Sequence, residues 1–491
     1  MKYKIFSSMR SVKKHDALLV CLTAEAVKER GDLGRTLRGL GIDLAEMERT
    51  DGFKGRATQD LYVRLAGRKE RRVLLLGLGK KSQVDAVVLR RRLERAGAIL
   101  RARRIARPVV LLPELPVEAE VTARAAVMGL GLGSGRRVTY AKVKEGAPFD
   151  NTQIVIPGCD EKAIGRAAGE AEAMGEIILE ARSWVEEPAN RLGPEDLAKR
   201  ASGMCKAHGV ACEVWKEARI GKEGMNLLLA VGRGSSRGPR MVRMTYEPAG
   251  AKAHVALVGK GIVFDTGGLS LKPAKSMIGM KTDMAGAAVV AGVIAAAAKL
   301  RLPVRVTALA PIAENTPSAD SYRPGDVISG RGGRSVEVIS TDAEGRLVMA
   351  DALTLAAENK PDYVVDVATL TGSCMVALGT HTAGLWANDD ALAERLLAAA
   401  RRSGESLWRM PLLEEIAPQL RSEVADLRNA QSDAYGGAIA AALFLREFVG
   451  KRRWAHLDIA GPAYNERRSE AGARGATGYG ITTIVGFLES L

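Results

Sequence analysis

Acidic and basic side chains that could bind metal ions are concentrated in three short segments of the chain. They read Gly-Lys-Gly-Ile-Val-Phe-Asp-Thr-Gly-Gly-Leu-Ser-Leu-Lys-Pro from Gly259, Lys-Thr-Asp-Met-Ala-Gly from Lys281 and Ser-Thr-Asp-Ala-Glu-Gly-Arg-Leu from Ser340. The segments contain four carboxylates, from Asp265, Asp283, Asp342 and Glu344. Carboxylates offer the oxygen ligands that hard cations prefer, and four of them would cancel the charge of two divalent ions. Two such ions ~3.5–4 Å apart can activate water and polarise a carbonyl group. The segments therefore predict a hydrolytic metal centre.

Each of these carboxylates, taken alone, is more often a helix cap or a solvated loop residue. The combined pattern favours metal binding over these simpler interpretations. Asp342 and Glu344 are two positions apart on a turn predicted between a strand and a helix, so both can reach one point. Gly345 beside them permits a close approach of the backbone.

Three basic residues accompany the carboxylates. Taken separately, Lys260 and Lys272 would be exposed surface lysines. Beside two dications, Lys260 could be a ligand only as a neutral amine with a much lowered pKa, whereas Lys272 suits a charged group that stabilises an oxyanion. Arg346 offers a planar fork for a bidentate oxyanion, with a surface salt bridge as its simpler interpretation. Either a substrate carboxylate or a small proton-shuttling oxyanion fits that fork.

The first part of the chain shows the alternation that is typical of an α/β domain, which we place at residues 1–160. A helix-like segment, Leu89–Ile105, lies among short apolar runs at Ala17–Leu22, Val73–Leu76 and Val109–Leu112. Residues 161–188 are rich in Ala, Glu, Ile and Leu and end at Pro188, so we predict a connecting helix there.

Residues 189–491 repeat a strand, turn and helix pattern, which predicts a larger α/β domain with a mainly parallel central sheet flanked by helices. The predicted strands are His254–Val258, Val304–Leu309, Val336–Ile339 and Tyr363–Val367. The predicted helices are Met284–Leu300, Leu347–Asn359 and Ala391–Arg402. The ligand-like residues follow predicted strands, where open α/β sheets have their binding crevices.

Composition describes a soluble globular protein, with 47% hydrophobic and 4% aromatic residues. Five scattered cysteines without CxxC spacing indicate neither a disulfide framework nor a zinc ribbon, and fit a reducing cytoplasm. The N-terminus has no apolar run of signal-peptide length. The most apolar stretch, Met284–Ala298, is shorter than the ~20 residues of a membrane span, so it predicts a buried helix and no membrane partner.

Taken together, the metal-binding segments resemble those of the leucyl aminopeptidase family, cytosolic exopeptidases with two zinc ions. Further agreement occurs at Glu187–Pro194, Glu314–Ser318, Tyr322–Asp326, Ala368–Gly372 and Trp454–Gly461. The similar region covers about residues 185–485, whereas residues 1–150 resemble the family only loosely, chiefly in size and position. The resemblance implies release of N-terminal residues, leucine and other mainly apolar ones, during intracellular peptide turnover.

By position, the resemblance also implies roles for individual residues. Lys272 would polarise the scissile carbonyl or stabilise its oxyanion, and Arg346 would hold a bicarbonate that takes a proton from a bridging water. Asp265 and Glu344 would bridge two Zn2+ or Mn2+ ions within a ligand set of Lys260, Asp265, Asp283, Asp342 and Glu344. The substrate's amino group would bind one ion. Its side chain and backbone would contact Met280, Thr369, Leu370 and Gly372.

Two departures from the family pattern concern the surroundings of the site. Ser340 stands where Asn is usual, and Pro462 and Tyr464 stand where Thr and Trp are usual. These residues could change how the metal-binding loop is supported and what shape the substrate pocket has. Because the family is hexameric, the resemblance implies a homohexamer.

Nucleic-acid binding is the alternative class of function, because some bacterial relatives bind DNA and the N-terminal part of this chain is basic. Residues 1–150 carry 32 Lys and Arg against 17 Asp and Glu, while residues 151–491 carry 40 of each. Several arginines lie in or beside one predicted helix: Arg90, Arg91, Arg92, Arg95, Arg101, Arg103, Arg104 and Arg107. A solvated face is the favoured interpretation, since no base-reading motif accompanies the charge.

Overall fold

The computed structural model describes residues 3–13, 15–28, 32–39, 41–65, 71–135, 138–142, 149–466 and 474–491. The chain divides into two compact units, Met1–Leu179 with Arg467–Arg474 and Glu180–Glu466 with Gly475–Leu491. Both units are α/β, so the predicted fold class is confirmed. The division falls inside a long helix, Ala163–Glu186, and the domain boundaries at 160 and 188 stay a prediction.

The first unit is built on a six-stranded sheet in which only β3 runs antiparallel to its neighbour. The strand order is β1-β6-β5-β2-β4-β3, with β1 Tyr3–Phe6, β2 Ala17–Thr23, β3 Asp60–Leu65, β4 Arg71–Gly79, β5 Pro108–Leu111 and β6 Thr152–Val155. Alternate side chains of β2 enter different buried clusters, Leu19 and Cys21 on one face and Leu18 and Val20 on the other. The sheet therefore has a hydrophobic core on each side, as a parallel sheet requires.

Helices of the first unit cover these two faces. They are α1 Ala24–Lys28, α2 Asp32–Gly39, α3 Leu44–Asp51, α4 Ala86–Ala102 and α5 Ala119–Ser134, followed by α6 Ala163–Glu186. Asp85 caps the start of α4 by accepting from Val88 N at 2.8 Å. Helix α4 buries Leu89, Leu93 and Leu100 at helical spacing, so the helix predicted over residues 89–105 is present. It begins three residues earlier than predicted, directly after its cap.

The second unit is built on a nine-stranded sheet of order β16-β15-β18-β14-β9-β11-β8-β7, with β10 beside β11. Its central strands, β18, β14, β9, β11 and β10, pair in parallel, whereas β8 and β7 are antiparallel additions at one side. The strands are β7 Ala211–Trp215, β8 Arg240–Tyr246, β9 His254–Gly259, β10 Gly261–Asp265, β11 Arg305–Asn315, β14 Tyr363–Ala368, β15 Thr382–Ala387, β16 Ser406–Arg409 and β18 Arg453–Asp458. The mainly parallel central sheet is thus confirmed.

The predicted strand at residues 336–339 lies elsewhere. It corresponds to β13 Ser335–Glu337, which belongs to a separate three-stranded sheet with β12 Val327–Ser329 and β17 Leu427–Arg428. Its pattern is indistinguishable from that of a short central strand, because only pairing partners far along the chain decide which sheet it joins. A two-stranded ribbon completes the strands, with β19 Tyr464–Asn465 and β20 Gly475–Ala476.

Helices flank the large sheet and include every helix predicted for this region. They are α7 Pro194–Ala207, α8 Glu217–Lys222, α9 Asn226–Gly232, α10 Ala274–Met277, α11 Ala285–Lys299, α12 Glu344–Glu358, α13 Gly372–Leu378, α14 Asp390–Ser403, α15 Gly437–Arg446 and α16 Ile481–Leu488. The helical stretch Ala274–Lys299 is long and apolar enough to cross a membrane, but 67% of its most apolar window is buried inside the protein. Nearly all of α11 is buried, so the predicted buried helix is confirmed.

Candidate metal centre

The carboxyl ends of the parallel strands bring the predicted site residues to one edge of the sheet. Lys260 follows β9, Asp265 ends β10 and Thr369 follows β14. Because parallel neighbours end on the same side, these residues meet although up to 109 positions separate them in the chain. The remaining acidic residues come from segments that lead into α11 and α12.

Lys260 stands between two of the predicted carboxylate ligands. Its Nζ lies 2.8 Å from Asp283 Oδ1 and 2.9 Å from Glu344 Oε1, and it donates to Thr369 O at 3.1 Å. Its side chain is only 3% exposed. Gly345 leaves room for it, since a Cβ there would lie 2.4 Å from Lys260 Cε.

Lys272 joins the other two predicted ligands. Its Nζ lies 2.9 Å from Asp265 Oδ2 and 2.6 Å from Asp342 Oδ1. One oxygen from each of Asp265, Asp342 and Glu344 lies within 4.8 Å of the others. The structure therefore gathers all four carboxylates and both lysines into a single cluster, as the sequence predicted.

Burial shifts the proton affinity of this cluster. The pKa of Glu344 is raised to about 8 and that of Asp283 to about 6, first by burial and also by the negative charge of Asp265. Burial alone would lower the pKa of Lys260, but the charges of Asp283, Glu344 and Asp265 raise it above its usual value. The cluster has more negative charge than its lysines balance, so it attracts further protons or cations.

One atom of the cluster gives a direct indication of a cation. Asp283 Oδ2 is buried and has no hydrogen-bond partner in the part of the chain that the structure describes. A buried carboxylate oxygen without a partner costs free energy, because burial has removed its water. A bound divalent cation would supply the missing interaction, and the oxygen-rich donor set fits such an ion.

Arg346 occupies the first turn of α12, two residues after Glu344, as expected. Its guanidinium is buried, donates from Nη1 to Asn429 O at 2.8 Å, and has its pKa lowered to about 10 by burial. That bond uses one of the five N–H donors of the guanidinium, and a planar fork of this kind suits an anion. The surface salt bridge considered from the sequence is wrong, because Arg346 is 8% exposed.

The residues expected to contact substrate lie around this edge. Thr369 Oγ1 donates to Asp283 Oδ1 at 2.7 Å, and the neighbouring Leu370 packs partly buried against the hydrophobic core. Gly372 begins α13 at an exposed position, and half-buried Met280 begins the short 3-10 turn Met280–Thr282 before α11. Thr369 thus contacts a predicted metal ligand directly.

Asn315 is a site residue that the sequence reasoning did not single out. From the end of β11 its Nδ2 donates to Asp265 Oδ1 at 2.8 Å and to Thr341 O at 2.9 Å. Tyr322 also donates to Thr341 O, at 2.7 Å. Asn315 therefore ties the Asp265 loop to the Asp342 loop and turns Asp265 Oδ2 toward Lys272. Its presence in a segment shared with the family was the one available signal.

Replacing Asn315 by alanine is expected to weaken divalent-metal binding roughly 10–100-fold, because the partner that orients Asp265 is lost. The measurement is the Mn2+ dissociation constant by competition with a chelator. Asn359→Ala, at the exposed end of α12, makes the same chemical change as a control. An unchanged dissociation constant in Asn315→Ala would contradict this role.

The departures from the family pattern are accommodated by the structure. Ser340 Oγ accepts from Asp342 N at 3.2 Å, a local turn bond that a serine hydroxyl and an asparagine side chain can both provide. Asn429 Nδ2 donates to Ser340 O at 2.7 Å, which further holds the loop. Pro462 O accepts from Thr477 Oγ1 at 2.6 Å, and Tyr464 belongs to β19.

Models of one protein family match both parts of the chain. The catalytic domain of the cytosol aminopeptidase family matches residues 180–485, and the family's N-terminal domain matches residues 22–141. The sequence alone indicated only a loose similarity for the N-terminal part, because that part lacks the metal-binding motifs by which a resemblance is easily seen.

Individual relatives agree along nearly the whole chain. Probable cytosol aminopeptidases of Syntrophotalea carbinolica and Aquifex aeolicus are 41% and 38% identical; the first match covers 89% of both chains and the second 93% of this chain and 92% of the relative. The bottromycin maturation enzyme BotP in complex with Mn superposes with a TM-score of 0.85 at 36% identity, covering 97% of this chain and 99% of that one. A mutant of tomato leucine aminopeptidase gives 0.89 at 29% identity, covering 100% and 97%. The chain belongs to the cytosol aminopeptidase family, and it is a metal-dependent aminopeptidase that removes N-terminal residues from peptides.

Proposed function

We propose that this aminopeptidase uses two divalent ions, Zn2+ or Mn2+, which Asp265 and Glu344 would help to hold. The proposed ligand set is Lys260, Asp265, Asp283, Asp342 and Glu344. The observation that carries the proposal is the carboxylate cluster, in which Asp265 and Glu344 are buried, together with Asp283 Oδ2, a buried oxygen without a hydrogen-bond partner among the described residues. BotP, the relative solved with Mn, supports a divalent ion. Bound ions would lower the pKa of a shared water and polarise the scissile carbonyl.

The lysines have different proposed roles. Lys260 can become a ligand only by losing the proton it holds against Asp283 and Glu344, so metal binding should release a proton. Lys272 is half-buried, and Asp265 and Asp342 counteract the effect of burial and raise its pKa, which keeps it charged at neutral pH. A charged ammonium at this position can stabilise the oxyanion that develops on the substrate carbonyl.

Arg346 is proposed to hold a bicarbonate that accepts the proton of the attacking water. Support comes from its buried guanidinium, which donates one bond to Asn429 O and lies two residues from Glu344. A desolvated guanidinium binds a planar oxyanion strongly through paired N–H donors.

The substrates are proposed to be peptides with a free N-terminus and an apolar first residue such as leucine. Met280, Thr369, Leu370 and Gly372 would surround that residue, and Thr369 is fixed beside Asp283. The proposed setting is peptide turnover in the cytoplasm by a homohexamer. The naming of the relatives as cytosol aminopeptidases supports the location.

Chelation of divalent ions should abolish hydrolysis of leucyl peptides, and Zn2+ or Mn2+ should restore it. With metal present, N-acetylation of the same peptide should lower kcat/KM by roughly 10⁴-fold, because an amino-group anchor is then left without its partner. The measurement compares initial rates on matched free and acetylated peptides. Equal rates on the two peptides would contradict amino-group anchoring. Metal dependence is tested separately, by the loss of activity on chelation and its return with added metal.

Nucleic-acid binding stays the less favoured alternative, because contacts within the first unit engage many of the predicted basic residues. Arg92 donates to Gly77 O and Gln59 O, and Arg95 pairs with Asp60. Other members of the group are Arg101, which is buried, Arg103, which lies over the Tyr62 ring, and Arg107, which pairs with Asp16. Duplex binding at low salt that weakens in Arg90–Arg92 alanine variants would support this alternative.

A further inference from the structure

The loop between β14 and α13 carries residues proposed to contact the substrate, and a carboxylate from a neighbouring strand bonds to it. The loop spans residues 369–371 and leads into α13 at Gly372. Asp458 is the last residue of β18 and is paired in register with Ala368, the last residue of β14. Because these parallel strands end at the same level, the Asp458 side chain reaches the loop that follows β14.

Asp458 is fully buried, and its carboxylate accepts hydrogen bonds from the loop and from its own strand end. Leu370 N donates to Oδ1 at 3.1 Å, Thr371 Oγ1 donates to Oδ2 at 2.7 Å, and Ala460 N donates to Oδ1 at 3.1 Å. Such donors replace the water that burial removes from a carboxylate, and hydrogen bonds to a charged acceptor are stronger than those between neutral groups. The carboxylate therefore fixes the backbone at Leu370 and the side chain at Thr371.

Thr371 connects this carboxylate to the start of α13. Its hydroxyl donates to Asp458 and accepts from Cys374 N at 3.0 Å, which makes Thr371 the N-cap of the helix. A hydroxyl that donates its proton to one group still has lone pairs for another donor, so both bonds form together. The position of Gly372, the first residue of α13, is thus tied to Asp458.

The same loop also bonds to the proposed metal site. Thr369 Oγ1 donates to Asp283 Oδ1 at 2.7 Å, and Thr369 O accepts from Lys260 Nζ at 3.1 Å. Asp283 and Lys260 are proposed ligands, so these two bonds must compete with bound metal ions. The bonds to Asp458 involve no proposed ligand, and they can hold the loop whether or not the metal site is filled.

We propose that Asp458 is a positioning residue that sets the preference for the first residue of the substrate by holding the loop of residues 369–371 in one conformation. This inference rests on the proposed function, in which Thr369, Leu370 and Gly372 contact that residue. A pocket discriminates between side chains only when its walls keep their positions, because a mobile wall adapts to side chains of different size. Asp458 acts through the loop and not on the substrate itself.

The test measures the ratio of kcat/KM for leucine p-nitroanilide to kcat/KM for alanine p-nitroanilide with the metal-loaded enzyme. Asp458→Asn keeps the shape of the side chain but places an amide NH2 group against at least one of the present donors. The leucine-to-alanine ratio should fall by about 10-fold, because the larger side chain gains most from a well-formed pocket. Metal content should stay at the wild-type level.

Two Thr371 variants and a second buried aspartate serve as controls. Thr371→Ser keeps the hydroxyl and should keep the wild-type ratio, whereas Thr371→Val loses it and should reproduce the fall. Asp351→Asn makes the same change at another buried carboxylate, which accepts from Leu228 N and Arg331 N. These partners lie outside the proposed pocket, so this variant should keep the wild-type ratio even where its melting temperature falls.

Gly372→Ala tests the pocket itself. Apart from its chain neighbours and its own helix, a Cβ at this position would have no atom of the described residues within 4 Å. The added methyl group should therefore leave the fold intact and narrow the space for the substrate side chain, which lowers the ratio. An unchanged ratio in Gly372→Ala would contradict the pocket and this inference with it. A changed ratio there beside an unchanged ratio in Asp458→Asn would overturn only the role of Asp458.

Other results would also overturn the role of Asp458. An equal fall of the ratio in Asp351→Asn would show that loss of any buried carboxylate is enough. A wild-type ratio in Thr371→Val would do the same, and it decides the question if Asp458→Asn does not fold. Loss of metal from Asp458→Asn would assign its action to the metal site. Each ratio compares two substrates on one preparation, so it does not depend on the folded fraction, and the charge of Asp458 near Arg346 affects both substrates alike.

Discussion

Replacing Glu344 by alanine is expected to remove bound metal and to lower kcat/KM by roughly 10³-fold or more, since metal ions supply several kcal/mol of transition-state stabilisation. Glu344 is buried, contacts Lys260 and lies within 4.8 Å of Asp265 and Asp342 through its carboxylate oxygen. Its loss takes away a proposed metal ligand. Asp283→Ala is expected to behave alike, because Asp283 Oδ2 is a buried carboxylate oxygen for which the described residues provide no hydrogen-bond partner.

The matched control is Glu358→Ala, the same change at the other end of α12. Glu358 is exposed and pairs with Arg331, so its removal should leave metal content and activity near the wild type. Metal content measured by mass spectrometry and initial rates on a leucyl peptide decide the outcome. A Glu344→Ala enzyme that retained two ions and full activity would remove the proposed ligand role.

Replacing Lys272 by alanine is expected to separate metal binding from catalysis. The variant should keep its metal content while kcat falls by about 10²–10³-fold, which is the usual cost of removing one oxyanion donor. In the structure Lys272 makes charge pairs with Asp265 and Asp342. Losing that positive charge leaves the carboxylates free for cations, so metal affinity should be unchanged or slightly higher.

Lys275→Ala, on the exposed α10 three residues along the chain, is the control for this prediction. Steady-state kinetics should show a fall in kcat with little change in KM for Lys272→Ala, and neither change for Lys275→Ala. Loss of metal from Lys272→Ala would instead assign the residue a role in holding the cluster together. Normal kcat would exclude its proposed action on the oxyanion.

The effects expected for Glu344 and Asp283 have a different physical cause from the effect expected for Lys272. Burial and mutual repulsion raise the pKa of Glu344 and Asp283, so the ionised acids destabilise the fold until a cation compensates them. Catalytic power and stability are therefore opposed at this edge of the sheet. Lys272 is stabilised in its charged form by the same acids, which makes it available as an electrophile.

Much of the site was predictable because its chemistry is local in the sequence. Asp342, Glu344 and Arg346 lie within five residues, on a loop and the first turn of a helix, so their types and spacing indicate what they can bind. The parallel central sheet was equally predictable, since buried strands and helices have distinct hydrophobic periods. Together, these two features of the sequence place the candidate metal-binding residues at strand ends.

Tertiary structure alone decided which distant atoms meet. Asn315 orients Asp265 across 50 positions and Asn429 holds the Ser340 loop across 89, and neither pairing has a local signature. The same holds for the basic helix α4, where Arg92 turned out to bond the backbone of its own domain. Residue types determine which bonds are chemically available, but packing determines which donors and acceptors are buried within reach of each other. The sequence by itself therefore determined which chemical groups the site of this protein can offer. The fold decided which of these groups bond to each other.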